Sequence, residues 1–226
     1  MFHLEVIYED NHLLVVNKPA GVLVQGDRTG DPTLLDHAKS YLKIKYNKPG
    51  DVFLGLVHRL DRPTSGVVVL ARTSKALSRL NEDFKKRGPK KTYWALVEGT
   101  PKSNDQLEHF LKRNAKSNKS FAYNHEVSDS KKAILTYRCL KKLHRYTLLE
   151  IDLQTGRHHQ IRAQLAFEKL FIKGDVKYGA KRPNPDGSIH LLARSLEIMH
   201  PVRKEPLHFV AQPSIKDKVW AACLAN

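Results

Sequence analysis

Apolar residues come in short bursts along this chain, separated by polar breakers. Residues 4–8 and 12–16, LEVIY and HLLVV, read as two strands turning at Asp10-Asn11, and they open the fold as a hairpin. After the break at residues 17–21, apolar positions at Leu34, Leu35, Ala38, Tyr41 and Leu42 predict a helix from an N-cap at Thr33 to a stop at residues 47–50. Residues 67–71 are continuously apolar at strand length, which predicts a central strand buried on both faces. Ser74 is expected to cap the following helix. Its stripe is Leu77, Leu80 and Phe84, and its end is the basic run 85–91, where positive charge suits the helix dipole.

Strand signals dominate from there. Residues 92–98, 133–140 and 146–153 carry aromatic or β-branched residues between breakers. The polar stretch 112–132 reads as a loop or mobile hairpin. A helix is expected over residues 157–169, with Ile161, Leu165 and Ala166 inward, and a last short one over 215–224. With no repeat and no clean boundary, the pattern predicts one α+β domain, residues 1–226, on a mixed, mostly antiparallel central sheet with flanking helices and loops.

Composition narrows the function classes. The chain has 226 residues, enough for a sizeable core, and 41% hydrophobic residues, as in ordinary globular proteins. No apolar run approaches the ~20 residues that span a bilayer. The N-terminus lacks a secretory pattern, so a cytoplasmic location is expected. Cys139 and Cys223 form no CxxC pair, which suggests neither disulfide framework nor zinc site. The net charge is +16, concentrated as +5 in residues 51–100 and +6 in residues 101–150. A regional basic excess is the footprint of phosphate-backbone binding, although a merely solvated surface gives the same count.

Familiar cofactor and metal patterns are missing: there is no GxGxxG, Walker loop, HExxH or GxSxG elbow. Adjacent His158 and His159, placed on a helix, would point about 100° apart and could not share an ion. Ser65 reads as a turn hydroxyl. The informative segment is residues 58–66, HRLDRPTSG, running into the strand VVVLA. An acid between Arg59 and Arg62, feeding a core strand, is either a turn-capping Asp or a rigidly held functional carboxylate.

The string HRLDRPTSGVVVLA resembles the signature of the RluA family of RNA pseudouridine synthases, whose catalytic aspartate sits in HRLDxxTSG. Further segments match in the same order: NKPAG at 17–21, KTYWALVEG at 91–99, TGRHHQIR at 155–162, then Gly174-Asp175 and Tyr178-Gly179. Where the family has Leu-His-Ala before its His-Pro, this chain has Leu191-Leu192-Ala193 before His200-Pro201. The matched stretch starts at the first hairpin, from which the absence of a small preceding RNA-binding domain is expected.

The resemblance implies the pseudouridine synthase fold and a cofactor-free, metal-free isomerisation of uridine in structured RNA, tRNA or rRNA, by a monomer without an obligate protein partner or a membrane. It assigns Asp61 as the catalytic carboxylate, attacking C1′ as nucleophile or removing the C2′ proton. Arg162 matches the family's basic partner of that aspartate, and Arg59 the arginine that takes the extruded base's place in the RNA stack. Tyr93 matches the active-site tyrosine, able to stack on uracil and assist proton removal at C5. Ile161 and Leu165 match the apolar wall, although helical spacing alone makes them core. Lys112, Arg113, Lys116, Lys119 and residues 85–91 are candidate phosphate contacts from charge alone. Two rival functions stay in view: a non-catalytic RNA-binding protein with the same fold, and a glycosidase-like hydrolase, which needs a second carboxylate that no neighbouring motif offers.

Overall fold

A computed structural model of the chain describes residues 3–26 and 29–225. In chain order the elements are β1 (Glu5–Glu9), β2 (Leu13–Lys18), α1 (Leu34–Lys45), β3 (Gly55–Leu56), β4 (Ser65–Ala71), α2 (Ser74–Lys85), β5 (Lys90–Glu98) and β6 (Asn104–Asn114). They continue with β7 (Lys119–Tyr123), β8 (Lys131–Lys142), β9 (Thr147–Leu153), α3 (Gln160–Phe167), β10 (Phe171–Ile172), β11 (Leu191–Met199), β12 (Pro206–Val210) and α4 (Lys218–Leu224). The α+β class expected from the sequence pattern is what forms. The chain gathers into two compact units, one of residues 1–90 and 193–212 and the other of residues 91–192 and 213–226.

In the first unit the opening hairpin turns on Asp10, whose carboxylate accepts from the backbone N–H of His12 and Leu13, both at 2.7 Å. β2 pairs antiparallel with β1 and β4, in the second case with Val15 opposite Val69. Every residue of β2 is buried, as are all but the first of β4, which makes them the core that the apolar run 67–71 predicts. β12 closes on β11 with Leu196 opposite Phe209. Thr33 caps α1 in a full capping box with Asp36, as expected. α2 starts one residue differently: the capping side chain is Thr73, which accepts from Ala76 N–H at 3.2 Å, while Ser74 is the first helical residue. Two threonine and serine hydroxyls in a row offered two starts, and the extended backbone falls on Thr73.

The second unit is an antiparallel meander in which β5 pairs β9, β9 pairs β8, β8 pairs β6, and β6 pairs β7, with β10 on the other side of β5. Its core joins Val97, Leu135, Leu149, Ile151, Ile161, Leu165, Leu170 and Ile189. The stretch 112–132 is more ordered than a loop: β6 runs through Asn114 and pairs with β7 from Phe110 opposite Tyr123 to Asn114 opposite Lys119. β6 itself, with Leu107, His109 and Leu111 buried on one face, was hidden by the histidine at an inward position. The helix expected over 157–169 is shorter, because His159 sits at φ 53° in the left-handed region and α3 begins only at Gln160. The C-terminal helix likewise starts later, at Lys218, capped by Asp217, whose carboxylate also meets His190 at 3.2 Å.

Candidate functional site

Within the first unit, Arg59 and Asp61 sit together on the connection from β3 to β4. Arg59 is exposed and Asp61 half-buried. Three features shape this connection. His58 Nε2 accepts from Val69 N–H at 3.0 Å, and its ring stacks 5.2 Å from Phe84. The Asp61 carbonyl accepts from Thr64 N–H at 3.0 Å, closing a turn. Gly66 then sits at φ +119° against β11, where a Cβ would lie 2.3 Å from the Ala193 carbonyl oxygen. Only glycine fits there, which is the local reason for the SG pair after the turn.

The residue that locks this loop is one to which the sequence reading gave no role. Lys18, at the end of β2, is fully buried, and its Nζ donates to the carbonyls of Pro19 (2.9 Å), Val22 (2.8 Å) and Arg62 (3.2 Å). The NKPAG turn is thus tied to the turn carrying Asp61, and Gly21 N–H to Arg62 O at 2.8 Å ties it again. Burial pulls the Lys18 ammonium down to about 7; the Asp61 charge opposes that shift and the Arg62 charge adds to it. Arg62 itself points outward, with Nε on Gly21 O and Nη2 on Asp31 at 2.8 Å. A lysine ending a strand of buried branched residues was the available signal.

Within the second unit, Tyr93 lies on β5 opposite Ile151 and packs against the core that contains Ile161 and Leu165. These three are brought together, and Leu165 is wholly buried. Arg162 is 4% exposed, so it is no surface phosphate contact. Its guanidinium forks onto Asp175, Nε to Oδ2 at 2.7 Å and Nη2 to Oδ1 at 2.8 Å, and lies 4.9 Å from the Tyr178 ring centroid. Asp175 and Tyr178, quoted in the sequence only as matching segments, are therefore the residues that aim Arg162.

The TGRHHQ segment explains its own shape. Gln160 Oε1 accepts from the Thr155 hydroxyl (2.8 Å) and Arg157 N–H (2.9 Å), while its Nε2 donates to Ile134 O at 3.1 Å. His158 and His159 are not on a helix: they occupy the turn before it, with rings stacked at 3.8 Å. The Tyr178 hydroxyl accepts from Ser120 N–H at 2.8 Å and meets His159 Nδ1 at 2.9 Å. Burial, then the charge of Arg162, pushes the His159 imidazolium down to about 2, so this ring is neutral at ordinary pH. At the departure from the family pattern, Leu192 is fully buried, an apolar side chain in a core position. Among the described residues no three His, Cys, Asp or Glu side chains gather as a metal site, and no helix is long and apolar enough to cross a membrane.

A family model described as RNA pseudouridylate synthase matches residues 12–167. The chain is 35% identical over 218 residues to ribosomal large subunit pseudouridine synthase D of Xanthomonas campestris pv. campestris, covering 90% of this chain and 64% of that one. It is 32% identical over 235 residues to ribosomal large subunit pseudouridine synthase C of Buchnera aphidicola subsp. Baizongia pistaciae, covering 97% and 72%. The chain thus spans a little under two thirds of the first relative's length. Among solved structures, Human RNA Pseudouridylate Synthase Domain Containing 4 is similar at a TM-score of 0.79 and 25% identity, over 97% of this chain and 92% of that one.

Proposed function

The chain belongs to the RNA pseudouridylate synthase family, and from that premise we propose that it converts specific uridines of structured RNA to pseudouridine, with large-subunit ribosomal RNA as the substrate and the cytoplasm as the place. The observation that carries this reading is the Asp61 turn: a half-buried carboxylate between two arginines, on a loop pinned by Lys18 and by the Gly66 approach to β11. A rigid carboxylate is what either route needs, because the reacting atom must meet C1′ or the C2′ proton in one orientation.

In this reading Asp61 attacks C1′ or takes the C2′ proton, and the C1′–N1 bond breaks. The detached uracil turns and C5 bonds to C1′, displacing Asp61 in the first route or with Asp61 returning the proton to C2′ in the second; the C5 proton leaves and N1 gains one, so the reaction is a net isomerisation. Tyr93 offers a ring face and a hydroxyl for the uracil, and Ile161 and Leu165 the apolar surroundings against which that ring packs. Arg162 supplies positive charge in a direction fixed by Asp175. Arg59, exposed on the same turn as Asp61, takes the extruded base's place in the stack. The whole chain, residues 1–226, acts as one catalytic domain in a monomer, without metal or cofactor. Carbodiimide mapping of pseudouridines in total RNA from cells with and without the gene tests the reading. The expected result is loss of one or more large-subunit rRNA pseudouridines; an unchanged map in all RNA contradicts it.

A further inference from the structure

The second unit carries a basic cleft that none of these roles uses. Its volume is about 610 Å³, and its walls are Arg145 and Tyr146 from the turn between β8 and β9, Glu98 at the end of β5, and Lys173, Lys181 and Arg182 after β10. Four cations face one carboxylate. That carboxylate already accepts from the Tyr146 hydroxyl. Among the described residues, no carboxylate lies within ion-pair distance of Arg145, Lys181 or Arg182. Cations that outnumber the carboxylate in a concave site repel one another and focus a positive potential, which an anion relieves.

The floor of the cleft is built rather than loose. Asn184 is buried, its amide nitrogen donates to Ser188 O at 2.9 Å and meets His190 Nδ1 at 3.0 Å, and its carbonyl oxygen accepts from Lys173 Nζ at 2.5 Å. Gly174, at φ +87°, leaves the room this needs, since a Cβ there would lie 2.5 Å from Asn184 Nδ2. Lys173 is therefore aimed, with its Nζ 5.9 Å from the Tyr146 ring centroid. An aromatic face beside one fixed cation and three exposed ones is the combination that single-stranded nucleic acid uses, phosphates on the cations and a base on the ring. Tyr93 and Glu98 are five residues apart on β5, roughly 17 Å at the rise of a strand, so the cleft lies at the far end of that strand from Tyr93.

We propose that this cleft is a second RNA site, holding the sugar-phosphate backbone of a single-stranded segment away from the target uridine, with Arg145, Lys181 and Arg182 on phosphates and a base against Tyr146. It rests on RNA being the substrate, but its test reads binding rather than turnover. The full chain is compared with the double variant Lys181→Glu/Arg182→Glu and with Lys43→Glu/Lys48→Glu, a pair of exposed lysines in the first unit that changes the net charge equally. Filter binding uses a stem-loop with single-stranded flanks and the same stem-loop trimmed of them, from 50 to 200 mM salt.

The cleft variant is expected to bind the flanked RNA about tenfold more weakly at low salt, with a log-log salt slope shallower by roughly 1.4 for two lost phosphate contacts. On the trimmed RNA it should match the wild type, and the control pair should fall by less than about threefold on either RNA. Equal losses for cleft and control variants, or equal losses on flanked and trimmed RNA, overturn the proposal. So does calorimetric binding of uridine monophosphate that the cleft variant loses while its RNA affinity stays unchanged, since the occupant is then a free nucleotide. A wild type that binds RNA through the cleft yet makes no pseudouridine contradicts the proposed function and leaves the cleft standing.

Discussion

Arg162 and Asp175 form a two-pronged ion pair whose side chains are only 5% and 1% exposed. Two charges held this far from water are tolerated because each neutralises the other through parallel hydrogen bonds, and removing one strands its partner. Asp175→Asn should therefore lower the unfolding free energy by about 3–5 kcal/mol in urea titrations. A loss below about 1 kcal/mol would mean that Arg162 finds another anion or water, and that Asp175 does not set its direction.

Lys18 gives a pH signature. Its ammonium is buried and drops to about 7, against an ordinary lysine value of 10.5. Between those values the unfolded chain holds a proton that the folded chain has released, so this group adds stability as pH rises through that window and adds none of this dependence below about 7. The unfolding free energy of wild type minus that of Lys18→Met should rise from pH 7 to 10, with a slope approaching about 1.4 kcal/mol per pH unit. Denaturant titrations of both proteins at three pH values measure it. A flat difference would show that the buried amine keeps its proton.

Arg59 is exposed, with one long contact of 3.4 Å to Gln25 Oε1, so its replacement costs the fold little. If it fills the place of an extruded base, Arg59→Ala should slow reaction on a stem-loop far more than on a short unstacked oligonucleotide, because unstacking costs a few kcal/mol only where stacking exists. Single-turnover rates on the two substrates decide the point, and equal losses would make Arg59 an ordinary phosphate contact.

What could be read from the sequence divides by range. The Thr33 cap, the buried run of β4 and the HRLDRPTSG turn depend on neighbours in the chain, and they stand where the pattern put them. The roles of Lys18 and Asp175 depend on partners brought close by folding: Arg62 lies 44 positions from Lys18, and Asp175 lies 13 from Arg162. No periodicity reports such pairs. Two strands were hidden for a different reason. β6 turns His109 inward among apolar residues, and β11 interrupts its apolar run with Arg194 and Ser195, so each breaks the alternation that marks a strand. His159 shortened α3 through a backbone conformation that sequence marks only for glycine and asparagine.

In the proposed reaction Asp61 performs the chemistry. Asp61→Asn keeps the size and most hydrogen bonding of the side chain, while an amide is neither nucleophile nor base at neutral pH. Tritium release from RNA carrying C5-labelled uridine reads the isomerisation directly, and filter binding on the same samples reads affinity. Release is expected to fall by about a thousandfold or more, equivalent to about 4 kcal/mol of barrier, with RNA affinity nearly retained. Wild-type release from the Asp61→Asn protein would contradict that role.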